Sequence, residues 1–332
     1  MILNFIQKYK YLLIFILGYV VVFSVYIASL DPESETTPLN IRKFVTTIQD
    51  KILNRPKDDE VTLILGGDVM LGRTVMTKSL DEGNTNYPFE KVGEKIKEAD
   101  LVYVNLENPI IDNCQRHYEG LIFCALPSML DGLTNNEINI VNLANNHTLN
   151  YGQSGLDETV KHLTERNISY AGLGNLTVKE VKGTKFGFVG YDFLKDEDYE
   201  KFKGLVERSD ELVDVLVVAA HWGAEYAAEP NKYQKSWAKD LVDLGADVIV
   251  GHHPHWVQSS EKIDRPAKSD GSDRAPALVY YSLGNLVFDQ MWSTKTREGL
   301  VMKLTFKGKE LVKEEELPIY MDNWAQPEFV EE

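Results

Sequence analysis

The chain has 332 residues, a net charge of −16 at pH 7 and 43% hydrophobic residues. This length and hydrophobic content suit a globular protein with a sizeable core, whereas the acidic excess argues against binding of nucleic acid through its phosphates. The same charge repels anionic polymers and lipids unless bound metal ions or a local basic patch reverse the field.

The first predicted element is an uncharged apolar stretch at Tyr11–Leu30. A helix of this length spans about 30 Å, the thickness of a bilayer core. Lys8 and Lys10 precede the stretch and acidic residues follow it, so the positive-inside rule predicts a cytoplasmic N-terminus at 1–10 and a single-pass signal-anchor at 11–30. Everything after the anchor is then extracellular. A cleaved signal peptide and a buried core helix are the alternatives.

Residues 31–59 are predicted to be a stalk or linker, because a polar, turn-rich start leads into a short amphipathic pattern that ends at "RPKDDE". From 60 to 310, short apolar runs alternate with helical patterns, which predicts an α/β fold with strands buried on both faces. The helical patterns lie around Pro88–Ala99, Gly155–Arg166 and Asn231–Leu244. Residues 311–332 are predicted to be a peripheral acidic tail.

Cys114 and Cys124 are the two cysteines of the sequence. Their even number, their close spacing and the predicted export favour a disulfide over two free buried thiols. Closing such a short loop stabilises a fold by roughly 2–3 kcal/mol. His117, inside this loop, and His162, in a predicted helix, are expected to be bystanders.

Polar side chains follow five of the apolar runs at the point where each run ends. They are Asp68; Asn105 and Glu107; Asn145, Asn146 and His147; His221; and His252, His253 and His255. Ligands bind beyond the carboxyl ends of strands in open α/β sheets, so we expect these side chains to meet. Histidine nitrogen with carboxylate and amide oxygen suits manganese, zinc or iron, and the absence of cysteine excludes a thiolate site. The pattern predicts a metal centre, although one such histidine alone would more often be hydrogen-bonded core.

The last of these strand ends, "GHHPHW", carries three of the seven histidines. Pro254 disfavours the helical region for the residue before it, and residues two apart in an extended chain face the same side. We therefore expect His253 and His255 to reach one site, and His252 to point away as supporting structure.

Six motifs follow one another in the order found in one family of capsule-synthesis proteins. They are GGDVMLGR, NLENPI, ANNHTLNYG, AAHWGAEY, GHHPHW and YSLGNLVFDQ. Over about residues 61–305 the chain resembles the CapA family, which includes poly-γ-glutamate synthesis proteins and lies within the calcineurin-like metallophosphoesterase superfamily. The resemblance implies a four-layer αββα sandwich with a two-metal site at one end, and an N-terminal transmembrane helix is consistent with it.

The resemblance also assigns ligands, residue by residue. Asp68 and His255 would bind the first metal, and Glu107 would take the bridging carboxylate position, with Asn105 as its competitor. The second metal would be bound by Asn146, His221 and His253. Together these residues would hold two divalent ions of manganese, zinc or iron.

Catalytic and substrate-binding roles are implied in the same way. His147 would be the catalytic general acid. Arg73 would contact an anionic substrate. Asn105, Glu225 and Asn285 are further candidates for substrate contact because of their places beside the presumed site, with a hydrogen bond to His221 as another role for Glu225. The forked donors of Arg73 suit phosphate or carboxylate. For Glu225 a solvated loop carboxylate is an equal alternative, and for Asn285 a structural turn is the other interpretation.

Two departures from the superfamily pattern bear on this site. Met70 stands where typical members have the histidine of an Asp-x-His motif, so one metal site is expected to bind weakly. Asn150 replaces an aspartate that is common in the family, a residue of the kind that orients a histidine.

The sequence predicts a membrane-anchored extracellular protein for synthesis or export of an anionic capsule polymer of poly-γ-glutamate type, with a phosphatase-like two-metal hydrolase site. Expected partners are an anionic polymer or phosphate-containing substrate, the membrane and subunits of a membrane synthase, but not nucleic acid. Whether the chain is an active enzyme stays open. The alternatives are a non-catalytic polymer-binding partner of a capsule synthase and a cell-surface phosphoesterase unrelated to capsule.

Overall fold

The computed structural model describes residues 59–195, 198–267 and 273–330. The predicted cytoplasmic segment, the signal-anchor and all but the last residue of the predicted stalk lie outside these ranges. Among the helices within them, none is long and apolar enough to cross a membrane.

The larger of the two sheets in the described part of the chain has eight strands. They are β1 (Glu60–Val69), β2 (Leu101–Leu106), β3 (Ile140–Asn142), β4 (Ser169–Ala171), β11 (Asn285–Val287), β12 (Glu298–Lys307), β13 (Glu310–Asn323) and β14 (Gln326–Phe329). Their order is β14-β13-β12-β1-β2-β3-β4, and β11 pairs with the end of β1. β1 to β4 run parallel, whereas β12 to β14 are antiparallel additions at one side.

The smaller sheet has six strands in the order β5-β6-β7-β8-β10-β9. They are β5 (Thr177–Val181), β6 (Thr184–Asp192), β7 (Val215–His221), β8 (Val248–His252), β9 (Ser260–Ile263) and β10 (Ala277–Tyr280). The four inner strands are parallel, and β5 and β9 close the two edges as antiparallel strands.

The described helices are α1 (Arg73–Asp81), α2 (Gly93–Ile96), α3 (Leu130–Asn135), α4 (Gly152–Glu165), α5 (Tyr199–Asp210), α6 (Lys232–Asp243) and α7 (Thr294–Arg297). Short 3-10 turns lie at Tyr87–Phe89 and Pro127–Met129. The helical pattern predicted around Pro88–Ala99 is therefore only one such turn and the single turn of α2. α6 begins where its sequence predicts, because Asn231 and Gln234 form a reciprocal capping box.

Three apolar cores separate four layers of secondary structure. β1 shows why: Leu63 and Leu65 face the smaller sheet while Ile64 faces α1, α3 and α4, since alternate residues of a strand point to opposite faces. On the other side, α5 and α6 cover the smaller sheet through residues such as Val206 and Leu241. The predicted α/β sandwich is confirmed in this helix–sheet–sheet–helix arrangement.

The C-terminal segment is part of the sandwich. β13 pairs with β12 from Lys307↔Glu310 to Glu298↔Tyr320, and β14 pairs with β13. The prediction of a peripheral tail from residue 311 onward is therefore wrong for the strands, although they do lie at the edge of the sheet. The acidic residues of this segment suggested a peripheral tail, but they lie on the same strand, β13, as Ile319 and Met321, whose side chains are buried.

The carboxyl ends of the parallel strands of both sheets lie in the same region. In the larger sheet Asp68 of β1 lies in register with Asn105 of β2. In the smaller sheet His221 of β7 lies in register with His252 of β8. This placement brings the polar strand ends of the sequence together across the two sheets.

Candidate metal centre

Glu107 lies at the centre of the converging side chains. Its Oε1 atom is 3.9 Å from Nε2 of His147, 4.0 Å from Nε2 of His221 and 3.9 Å from Nε2 of His255. The carboxylate is fully buried, and neither of its oxygens has a hydrogen-bond partner among the described residues. Burial, followed by the charge of Asp68, raises the pKa of Glu107 well above its usual range. A buried carboxylate without a donor is costly unless a cation compensates it.

Two groups of potential ligands share this carboxylate. The first, called here the His221 half, is Glu107, His221 and His253. The second, the Asp68 half, is Asp68, Glu107 and His255. Within each half the ligand atoms lie within 4.8 Å of one another. Atoms bound to one ion at about 2.0–2.2 Å are about 3–4 Å apart, so small side-chain adjustments would close either half around a metal.

The His221 half offers neutral imidazoles. Burial lowers the pKa of His221 well below its usual value, and burial together with the charge of His255 lowers the pKa of His253 to about 4. The Nδ1 atoms of His221 and His253 are buried and lack a hydrogen-bond partner within the described part of the chain. Asn146 adds an amide oxygen, since its Oδ1 lies 3.0 Å from Nε2 of His221. This donor set fits a divalent cation.

The Asp68 half is arranged as an ion pair. Nδ1 of His255 lies 3.1 Å from Oδ2 of Asp68 and 2.9 Å from Oδ1 of Asn285. Burial opposes both charges, but the hydrogen bonds and charges of His252 and His255 outweigh it and hold the pKa of Asp68 well below its usual value. For His255, the charges of Glu107 and Asp68 outweigh burial and raise the pKa to about 9.

Asp68 is held by further donors. Its Oδ1 accepts a hydrogen bond from Nδ2 of Asn105 at 2.9 Å and lies 3.0 Å from Nδ1 of His252. Its Oδ2 accepts from the backbone N–H of His253 at 3.2 Å. Both oxygens of this carboxylate are therefore served by more than one group of the protein.

His147 is positioned from two sides. Its Nδ1 lies 3.1 Å from Oδ1 of Asn150, and its ring stacks on Phe123 with centroids 4.0 Å apart. The backbone N–H of Phe123 donates to the same Asn150 oxygen at 2.7 Å. Cys114 and Cys124 form the favoured disulfide, which closes the loop that carries Phe123. Burial lowers the pKa of His147.

A cavity of about 660 Å³ opens directly beside these groups, and His147 and His255 form part of its wall. Arg73 and Glu225 also line it. The Arg73 guanidinium is oriented by both carboxylate oxygens of Asp289 and by the Gly120 carbonyl, to which it donates at 2.9 Å.

The bacterial capsule synthesis protein family PGA_cap matches the chain over residues 62–290. The chain belongs to the PGA_cap family. It is 29% identical to the capsule biosynthesis protein CapA of Bacillus anthracis over 74% of this chain and 64% of that protein. To the PGA biosynthesis protein CapA of Bacillus subtilis strain 168 it is 27% identical, over 79% of this chain and 72% of that protein. The matched part thus spans less than two thirds of the B. anthracis relative.

A solved structure of a hypothetical protein from Thermus thermophilus is a more distant likeness. Its TM-score is 0.48 at 16% identity, over 78% of this chain and 98% of that chain.

Two residues of this PGA_cap chain were expected to contact substrate but are fully buried. Asn105 donates to Asp68, and its Oδ1 accepts from Asn142 and Asn145. Asn285 faces His255 and donates to the Thr296 carbonyl. Neither lines the cavity, so the structure gives Asn105 and Asn285 structural contacts, which is the other interpretation stated for Asn285. Asn105 has no free oxygen with which to compete for the bridging position. Both amides instead position a ligand candidate.

The local geometry of "GHHPHW" also differs from the prediction. His253 has φ 94° and His255 has φ 56°, so the chain turns sharply after β8 and is not extended. Pro254 keeps its predecessor out of the right-handed helical region, but the positive-φ region stays accessible and the turn uses it. The two rings consequently serve different halves of the centre. His252 does not point away, since its ring contacts Asp68 and, at 3.3 Å, the Tyr103 hydroxyl.

Sequence reasoning missed the aromatic part of the PGA_cap cavity. Tyr226, Trp292 and Trp324 line it, from three separate loops. A possible signal was the isolated tryptophan in "DQMWSTK", where a large apolar residue stands among polar ones.

Proposed function

We propose that this PGA_cap chain is a membrane-anchored extracellular protein for synthesis or export of an anionic capsule polymer, with a phosphatase-like two-metal hydrolase centre. One observation carries the hydrolase part: a single buried carboxylate, Glu107, has no hydrogen-bond partner among the described residues and is shared by two ligand groups. The names of the two Bacillus relatives support the capsule and poly-γ-glutamate context.

Manganese, zinc or iron at the two halves would lower the pKa of a water molecule and polarise a phosphoryl oxygen. Asn146, His221 and His253 would hold one ion and Asp68 and His255 the other, with Glu107 between them. The neutral state of His221 and His253 prepares the first half, whereas His255 must first give up a proton.

His147 is suited to proton transfer. The backbone N–H of Phe123 donates to Asn150 Oδ1, which identifies this atom as an acceptor. Nδ1 of His147 must therefore carry the proton and donate to the same oxygen, and Nε2 of His147 faces the centre. An anionic ester beside Nε2 favours protonation of that nitrogen, and the ring then gives the proton to the leaving oxygen. Arg73, held by Asp289, would bind the remaining phosphoryl oxygens.

The hydrolase proposal is tested on purified full-length protein with phosphomonoester and phosphodiester test substrates. We expect bound metal by elemental analysis, and we expect His147→Ala to retain that metal while kcat falls about 10²–10⁴-fold. His117→Ala, a histidine outside the centre, is the matched control. Wild-type protein that binds metal but is inert with manganese, zinc and iron would refute hydrolysis and favour a non-catalytic polymer-binding partner of a synthase.

Location and capsule role need separate experiments. Protease added to intact cells should cut the domain that follows residue 59, and complete protection would contradict an extracellular location.

Deletion of the gene should reduce surface polymer, and complementation with the His147→Ala variant shows whether the polymer depends on hydrolysis. Unchanged polymer after deletion would favour a surface phosphoesterase unrelated to capsule.

A further inference from the structure

The cavity beside the metal centre has an aromatic side, called here the aromatic cleft: Tyr118, Leu121, Phe123, Tyr226, Trp292 and Trp324. We propose that the substrate of the centre is a phosphate ester of an apolar alcohol whose hydrocarbon body lies along this cleft. The proposal rests on the hydrolase function above and names its substrate class.

The exposure of the cleft residues is unusual for such large apolar side chains. Tyr118 and Trp292 are each 62% exposed, Leu121 is 77% exposed and Trp324 is 43% exposed. They come from the disulfide loop, the segment after β11 and the turn between β13 and β14, yet all line one cavity. An exposed apolar patch built from distant segments and rimming a reactive centre indicates a ligand-binding surface.

The cleft is preformed. Trp292 packs edge-on against Tyr226 with ring centroids 4.8 Å apart, and the Tyr226 hydroxyl accepts from Nε2 of Gln290 at 3.2 Å. Elsewhere in the lining, the Phe123 ring stacks on His147, and the Arg73 guanidinium is 4.5 Å from the Phe123 ring centroid. Aromatic side chains therefore line the cavity both at Tyr226 and the exposed Trp292 and beside the reacting groups at Phe123.

Charge decides against an extended polyanion as the occupant. Among the described residues that line the cavity, Arg73 is the only lysine or arginine, and Asp289 already neutralises it. Glu119 and Glu225 make the rim acidic. One anionic group can be bound by the metals and Arg73, but further charges along the ligand would meet carboxylates. The body of the ligand is therefore uncharged.

One structural observation and one sequence prediction favour hydrocarbon as that body. A cavity of about 660 Å³ has the size of a small-molecule site and not of a polymer groove. The uncharged stretch at residues 11–30 predicts tethering to a bilayer, where amphiphilic phosphate esters reside. In the reaction, the oxygen of a water molecule bonds to phosphorus and the water releases one proton to solvent. The bond from phosphorus to the alkyl oxygen breaks, the alcohol leaves with a proton from His147, and His147 regains a proton from solvent.

Three phosphomonoesters with the same charged group test the proposal: butyl phosphate, octyl phosphate and glucose 6-phosphate. Binding to manganese-loaded, full-length protein in amphipol is measured by calorimetry, with protein-free amphipol as background. Each half-buried methylene should strengthen binding about twofold, so octyl phosphate should bind about tenfold or more tightly than butyl phosphate. Equal binding of the three esters would overturn the proposal. It would also be overturned if an oligomer of glutamate competed for the site and bound more tightly than octyl phosphate.

Variants of the cleft tryptophans test whether the preference for octyl over butyl phosphate arises in the aromatic cleft. Trp292→Ala and Trp324→Ala should each lower the octyl-to-butyl affinity ratio about threefold or more, and Trp292→Phe should retain most of it. Tyr233→Ala removes an aromatic residue of similar exposure, 58%, on α6 outside the cleft and should leave the ratio unchanged. An unchanged ratio in both tryptophan variants would contradict the cleft.

The two proposals can fail separately. A preference for octyl phosphate without hydrolysis of any ester supports the cleft and refutes the hydrolase. Hydrolysis of all esters without a chain-length preference supports the hydrolase and refutes the cleft.

Discussion

The two halves of the candidate metal centre share Glu107, but their other polar groups differ in their hydrogen-bond partners. In the His221 half, Nδ1 of His221 and Nδ1 of His253 are buried without a partner among the described residues. In the Asp68 half, the carboxylate receives four protein donors, one of which, His255, is also its counter-ion. The imidazoles of the first half are neutral, whereas a metal in the second half must displace the His255 proton and compete with the donors to Asp68, so the first half is expected to bind a metal more tightly.

The identity of residue 70 adds to this asymmetry. Met70 lies two residues after Asp68, and its buried sulfur accepts from the Gly72 N–H at 3.0 Å. It adds no nitrogen ligand to the Asp68 side. We therefore expect the His221 half to bind metal first and more tightly.

The largest expected effect comes from the residue common to both halves. Glu107→Gln should remove the shared anion, so both metals are lost and hydrolysis falls about 10³-fold or more. Elemental analysis and kcat/KM measure the two effects. Glu82→Gln, at an exposed position, should change neither. Full metal content and activity in Glu107→Gln protein would show that the halves do not share a bridge.

The paired variants His253→Ala and His255→Ala test the order of filling. His253→Ala should weaken the tight metal equivalent about 100-fold, whereas His255→Ala should keep it and lose the weaker one. Native mass spectrometry during stepwise addition of manganese distinguishes the two patterns. Identical loss of both metal equivalents in both variants would contradict the expected difference in affinity between the two halves.

A smaller effect is expected from the amide behind His255. Asn285→Ala removes the oxygen that orients Nδ1 of His255 and should weaken the second metal equivalent about tenfold, with the first unchanged. Asn113→Ala, at an exposed position, is the control. Metal titration followed by calorimetry measures both, and a change in the tight equivalent alone would contradict the assignment of Asn285 to the Asp68 half.

The smallest expected effect is the pH dependence of the metal-free protein. The pKa of His255 is raised to about 9, so its contribution to stability is complete below about pH 6.5 and is lost as pH rises through 9. The pKa of His253 is lowered to about 4, so its contribution is lost as pH falls from about 6.5 toward 4. The free energy of unfolding should fall by about 1–3 kcal/mol over each of these two pH ranges, called here the alkaline limb and the acidic limb.

Urea unfolding in EDTA between about pH 4.5 and 9.5 spans both titrations and tests this dependence. His255→Ala should flatten the alkaline limb, and His253→Ala should flatten part of the acidic limb. An alkaline limb that persists unchanged in His255→Ala would place the titrating group elsewhere.

Local sequence pattern was sufficient for an α/β fold with buried strands and for the polar strand ends that converge, whereas the two-sheet sandwich was implied by the family resemblance. Buried strands such as β7 leave continuous apolar runs, and the residue after each run, such as His221, is at the strand end whatever the rest of the chain does. The close spacing of Cys114 and Cys124 likewise favoured the disulfide that the structure contains.

Tertiary structure alone decided how these residues are used. The positive φ angles at His253 and His255 arise from a turn after β8, and they send neighbouring rings to opposite halves of the centre. Burial made Asn285 a support for His255 when the sequence suggested a substrate contact. The aromatic cleft unites Tyr118 with Trp324, which lie far apart in the chain. Sequence patterns encode periodicity over a few residues, whereas these features depend on contacts between distant segments, which exist only once the chain has folded.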